Sequence, residues 1–241
     1  MDLEIGEKTT GFGTLPSAIR FNGMVDTLED NSEEMKLFKL VYIGDPMCSW
    51  CYGFSKEIKS IAQELRDEVD FEMIMGGLRP FNQQKIASMK SFLSEHWKQV
   101  ESATQMPFSY EILDHPTMVY DTEPACRAVV TMRFLEPLKE LEYFSAVQTA
   151  FYVKNLDINK AETYVQLAEE VGIYAETFKA NFESDAMKVA TKSDFEKAAS
   201  LGVSGFPSVV LEHNNQLHLI TNGYTTASKM LEKIDKILKR N

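Results

Sequence analysis

Cys48-Ser49-Trp50-Cys51 stands where one local pattern ends and another begins. Before it, residues 37–43 (Leu-Phe-Lys-Leu-Val-Tyr-Ile) are rich in β-branched and aromatic side chains and stop at Gly44-Asp45-Pro46, which predicts a buried strand and a turn. After it, Ile58, Ile61, Ala62 and Leu65 fall at i, i+3, i+4 and i+7, one stripe of a helix. Residues 69–75 (Val-Asp-Phe-Glu-Met-Ile-Met) alternate and end at Gly76-Gly77, a second strand. Strand, helix and strand in so short a span make a βαβ unit, so the two strands are expected to be parallel.

The cysteine spacing fits thiol chemistry at a strand-to-helix junction. The first helical turn leaves backbone N–H groups free, and the helix dipole places partial positive charge beside the first sulfur. Both favour a thiolate at Cys48, the form that attacks disulfides. Cys51, one helical turn further on, lies on the same side and can resolve the mixed disulfide. Half of a zinc site has the same spacing. A structural zinc needs four ligands, and the remaining Cys126, His96, His115, His213 and His218 are scattered, so no metal site is expected.

The chain has 241 residues, ordinary globular composition and 36 acidic against 25 basic residues, a formal charge of −11. That balance lacks the positive footprint of a nucleic-acid binder and favours neutral or basic clients over acidic ones. No apolar run is long enough to span a bilayer. Three cysteines are too few for a disulfide-stapled secreted scaffold, and no signal peptide is visible, so a cytoplasmic protein is expected. Residues 1–35, with an acidic run at 26–34, read as a solvated and disordered tail.

From 82 to 185 the periodicity is helical throughout, with Asn159-x-x-Glu162 as one start signal. Ser193-x-x-Glu196 then predicts a short helix ending near Gly202. Two strands follow, joined across Asn214-Asn215, and Ala227, Met230, Leu231, Ile234 and Leu238 mark a last amphipathic helix. The predicted fold class is α/β: a thioredoxin-like core (36–81 and 186–241) interrupted by an inserted helical subdomain (82–185).

Gly202-Val203-Ser204-Gly205-Phe206-Pro207 immediately precedes the third strand, and a cis X-Pro bond suits a tight turn there. Taken with Asp45-Pro46-Met47-Cys48-Ser49-Trp50-Cys51-Tyr52-Gly53-Phe54, Gly76-Gly77-Leu78-Arg79-Pro80 and Asp121-Thr122-Glu123-Pro124-Ala125-Cys126-Arg127-Ala128, the chain resembles the DsbA/FrnE-like branch of the thioredoxin superfamily over residues 37–240.

The resemblance implies a thiol-disulfide oxidoreductase acting on protein or small-molecule thiols and disulfides, glutathione among the candidate partners, with no bound cofactor. Cys48 would be the nucleophile, Cys51 the resolving thiol and Pro207 the cis-proline beside them. Phe206 would offer its backbone to an extended substrate, while Ser49 and Trp50 would shape the rim. Two features depart from that pattern. DsbA carries a His between its cysteines where this chain has Ser-Trp, and the acid that many relatives bury in the first strand is replaced by Tyr42, with Asp45 the nearest carboxylate. The alternatives are a glutathione-linked isomerase or transferase, which an intact Cys48 disfavours, and a non-catalytic adaptor. Cys126 is expected in the core as a small buried residue. Trp97 is also expected in the core, with His96 and His115 partly exposed.

Overall fold

The computed structural model describes residues 38–203 and 205–239; the expectation for residues 1–35 lies outside them. Strand β1 (Phe38–Gly44) runs parallel to β2 (Val69–Met75). On its other side β1 pairs antiparallel with β3 (Ser208–His213), which turns back into β4 (Gln216–Asn222). The sheet order is therefore β2-β1-β3-β4. Strand β1 is central and buried on both faces, hence its nearly unbroken apolar run. The β3–β4 turn holds Asn214 and Asn215 at φ of 51° and 59°, the left-handed geometry that a two-residue hairpin requires and asparagine tolerates.

Helices cover both faces of the sheet. Leu40, Tyr42, Met73, Met75, Val209 and Leu211 point to one side, into a core shared with most of the helices. Val41, Ile43, Ile74 and Val210 point to the other and meet Ala198. The motif cysteines open α1 (Ser49–Gly53), which continues through Phe54 into α2 (Ser55–Glu64). The intervening helices are α3 (Lys90–Thr104), α4 (Glu123–Leu135), α5 (Glu140–Tyr152), α6 (Ala161–Glu170) and α7 (Ala175–Phe182). Then come α8 (Asp185–Ser200) and, after the hairpin, α9 (Ala227–Leu238). No helix among the described residues is long and apolar enough to cross a membrane.

Two start signals act differently from their sequence reading. Helix α8 begins at Asp185, capped by Ser184 Oγ accepting from Met187 N at 3.3 Å, so Ser193 lies inside it. Nothing between 185 and 200 breaks the helix, and Asp194 is drawn into tertiary bonds: its Oδ2 accepts from Met75 N and from the Arg133 guanidinium, both at 2.8 Å. Asn159 does not cap α6, because its Oδ1 accepts from Val119 N at 2.8 Å and Lys160 occupies the cap position.

Candidate active site

The loop between β1 and α1 is shaped by Asp45, a fully buried carboxylate. Its Oδ1 accepts from Met47 N at 2.8 Å, and its Oδ2 accepts from Leu78 N at 2.6 Å and from the Cys126 thiol at 3.4 Å. Burial pushes the Asp45 carboxyl above the usual carboxylate range, and these donors partly restrain the rise. Its own carbonyl accepts from Cys48 N at 3.0 Å, closing the turn that delivers Cys48 to the helix start. Cys48 keeps an extended backbone, and its carbonyl accepts the first helical bond, from Tyr52 N at 3.0 Å.

The Met47 carbonyl is held from two sides. The hydroxyls of Tyr120 and Tyr152 both donate to it at 2.6 Å, and both tyrosines are buried. Paired donors on one carbonyl satisfy a backbone group shut away from water and fix the peptide that enters Cys48.

The two sulfurs differ in environment. The Cys48 thiol, 6% exposed, donates to the Phe206 carbonyl at 3.6 Å. Cys51 is fully buried one turn deeper, and burial, reinforced by Cys48 beside it, pushes its thiol well up, so it remains protonated at neutral pH. Tyr42 lies against Cys51 from β1, and its own hydroxyl is also pushed well up by burial and then by Cys51. Gly44 leaves room for it: a Cβ there would stand 2.6 Å from the Tyr42 hydroxyl.

The Phe206–Pro207 peptide is cis. The Phe206 ring lies against the bare backbone of Gly76, where a Cβ would come within 2.2 Å of two ring carbons. Beside the thiol opens a recess of about 210 Å³. Four expected site residues border it: Cys48, Ser49, Trp50 and Phe206. The other two stand behind, Cys51 beneath Cys48 and a buried Pro207 behind Phe206. The lining also includes Arg79, from the Gly76–Pro80 segment, the partly exposed His96, and Tyr120 and Phe92, which no local pattern singled out. Trp97 and Cys126 are fully buried in the core. A larger hollow of about 620 Å³ runs along β2 and contains none of the site residues. Among the described residues no three His, Cys, Asp or Glu side chains converge as metal ligands.

The buried thiol pair at a strand-to-helix turn faces a cis-proline loop, and a thioredoxin family model matches residues 41–230, a span that contains both. The chain belongs to the thioredoxin family. Among solved structures it is similar to a candidate protein disulfide isomerase of Nitrosomonas europaea, with 36% identity over 85% of this chain and 98% of that one, at a TM-score of 0.76. The fold is shared with the cytosolic disulfide reductase DsbM of Pseudomonas aeruginosa, with 23% identity over 84% of this chain and 100% of that one, at a TM-score of 0.71. It is also shared with the oxidoreductase DsbA of Xylella fastidiosa, with 13% identity over 86% of this chain and 87% of that one, at a TM-score of 0.57. No curated protein matches the chain in sequence.

Proposed function

We infer that this thioredoxin-family protein is a thiol-disulfide oxidoreductase whose working pair is Cys48 and Cys51. The observation that carries this reading is the asymmetry of the pair: Cys48 borders an open recess while Cys51 waits protonated beneath it. The Cys48 thiolate attacks one sulfur of a substrate disulfide, forming a mixed disulfide and releasing the other sulfur as a thiolate. Cys51 then loses its proton and attacks Cys48 Sγ, which releases the second substrate thiolate and leaves a Cys48–Cys51 disulfide. The reverse sequence donates a disulfide. Pro207 and the Phe206 carbonyl hold the face on which the mixed disulfide forms, and Ser49 and Trp50 form its rim.

Residues 36–81 and 186–241 make up the catalytic thioredoxin-like part, and residues 82–185 are the inserted helical part that supplies Phe92, His96 and Tyr120 to the recess. The clients are protein or small-molecule thiols and disulfides. Glutathione is one candidate, supported by the DsbM structure solved with GSH. A cytoplasmic setting is supported by the scarcity of cysteines and by the cytosolic DsbM.

The deciding experiment is equilibration of the full chain in graded thiol-disulfide buffers with thiol trapping. A potential near thioredoxin's, about −270 mV, assigns a reductase, and one near about −120 mV assigns an oxidant. A Cys48–Cys51 pair that forms no disulfide at any poise overturns the reading.

A further inference from the structure

The recess beside Cys48 carries a charge that disulfide exchange by itself does not use. Four arginines lie among the described residues, and three of them hold carboxylates. Arg66 pairs with Asp67, Arg127 with Glu123, and Arg133 with both Glu140 and Asp194. Arg79 borders the recess and holds no carboxylate among the described residues, in a chain where acids outnumber bases 36 to 25. Its guanidinium keeps a planar fork of donors suited to a carboxylate.

The backbone of Arg79, in contrast, is pinned. Its N–H donates to Thr122 Oγ1 at 3.1 Å, and its carbonyl accepts from Thr122 N at 3.2 Å. The preceding Leu78 N–H donates to Asp45, whose carbonyl takes the Cys48 N–H. Short bonds therefore link the Arg79 backbone to the loop that carries the nucleophile. Tyr120 lines the same recess as Arg79.

We propose that this recess binds the carboxylate of a small thiol or disulfide, with Arg79 as the residue that selects it. The assignment rests on Cys48 being the nucleophile. At about 210 Å³ the recess falls below the roughly 300–1,000 Å³ of sites that enclose drug-sized ligands, so it suits a small group. The net charge of −11 disfavours large acidic partners. That repulsion is screened over roughly 8 Å at physiological salt, whereas Arg79 meets a bound carboxylate at contact distance. A small acid is thus admitted where an acidic protein surface is repelled, and a partly desolvated guanidinium–carboxylate fork adds directionality to the attraction.

The test compares reduction of 3,3′-dithiodipropionate, bis(2-hydroxyethyl) disulfide and cystamine by the reduced full chain, each rate divided by that of a free reference thiol. The wild type should favour the dicarboxylate. Arg79→Met should lower the ratio of dicarboxylate to hydroxyethyl rates about tenfold, and Arg79→Lys, which keeps charge but not the fork, should lower it less. An unchanged ratio in both variants overturns the proposal. If none of the three disulfides is reduced, the redox reading fails, and alkylation of Cys48 in a Cys51→Ser background then decides the anion site separately. Iodoacetate and iodoacetamide transfer the same two carbons to sulfur and release iodide, with and without a carboxylate. A fall of about tenfold in their rate ratio on Arg79→Met supports the site. An unchanged ratio, or no alkylation by either reagent, overturns it.

Discussion

The Cys48 thiol donates to the carbonyl of Phe206 at 3.6 Å, although 158 residues of chain separate them. The bond joins the first strand's exit to the third strand's entry, the two places where adjacent strands of this sheet end side by side. It places the sulfur under the cis-proline loop and leaves its outer side open to the recess.

A sulfur so placed divides labour with Cys51, and single substitutions should separate the two roles. Cys51→Ser should accumulate a mixed disulfide on Cys48 when the protein meets a small disulfide, visible as a mass adduct. Cys48→Ser should give neither adduct nor turnover. Turnover by Cys48→Ser at a rate comparable to the wild type would show that Cys51 is the attacking thiol.

The two tyrosine hydroxyls on the Met47 carbonyl predict a non-additive stability loss. Tyr120→Phe or Tyr152→Phe alone leaves the carbonyl one donor and should cost about 1 kcal/mol in urea unfolding. The double variant leaves a buried acceptor with no partner, so its loss should exceed the sum of the singles. Simple additivity would mean that the two bonds act independently of the shared oxygen.

Gly76 predicts a steric coupling between β2 and the cis-proline loop. In Gly76→Ala the new methyl would stand 2.2 Å from the Phe206 ring, so the ring must move. Expected outcomes are a stability loss on the order of 1–3 kcal/mol and slower disulfide exchange, because the Phe206 carbonyl moves with its ring. Wild-type exchange kinetics in Gly76→Ala would show that the loop tolerates the shift.

Glu140 predicts a pH dependence of stability. Its carboxyl lies 2.6 Å from Arg133, but burial outweighs that attraction and pushes it up to about 7. The guanidinium moves in the sense of a retained charge, because Asp194 also holds it. For an acid raised in the folded state, the folded protein keeps a proton that the unfolded chain releases between about pH 4.5 and 7. Stability from this group is therefore present below that window and lost as pH rises through it, on the order of 3 kcal/mol. Glu140→Gln should flatten that part of the profile, as read from thermal unfolding at pH 5 and pH 8. An unchanged slope in the variant would assign the dependence to another group.

Much of the scaffold was legible because local patterns encode it. Alternating or continuous apolar runs marked β1 and β2, the Asn214-Asn215 pair marked the hairpin, and Phe206-Pro207 marked the cis turn. Where a local signal competed with a distant partner, the partner prevailed. Asn159 serves Val119 rather than a helix start, and Asp194 serves β2 and Arg133 within a helix that the Ser193 signal had placed too late.

Sequence alone determined that Cys48 and Cys51 share one side of a strand-to-helix turn inside a βαβ unit, because backbone propensity and helical spacing act over a few residues. Only the tertiary structure decided that Tyr120 and Tyr152 meet on the Met47 carbonyl, that Cys126 donates to Asp45, and that Arg79 faces the recess beside Cys48. The hydrogen bonds among these join residues 73, 105 and 81 positions apart. No periodicity spans such distances; the contacts arise when packing of the helices against the sheet selects which buried polar groups must satisfy one another.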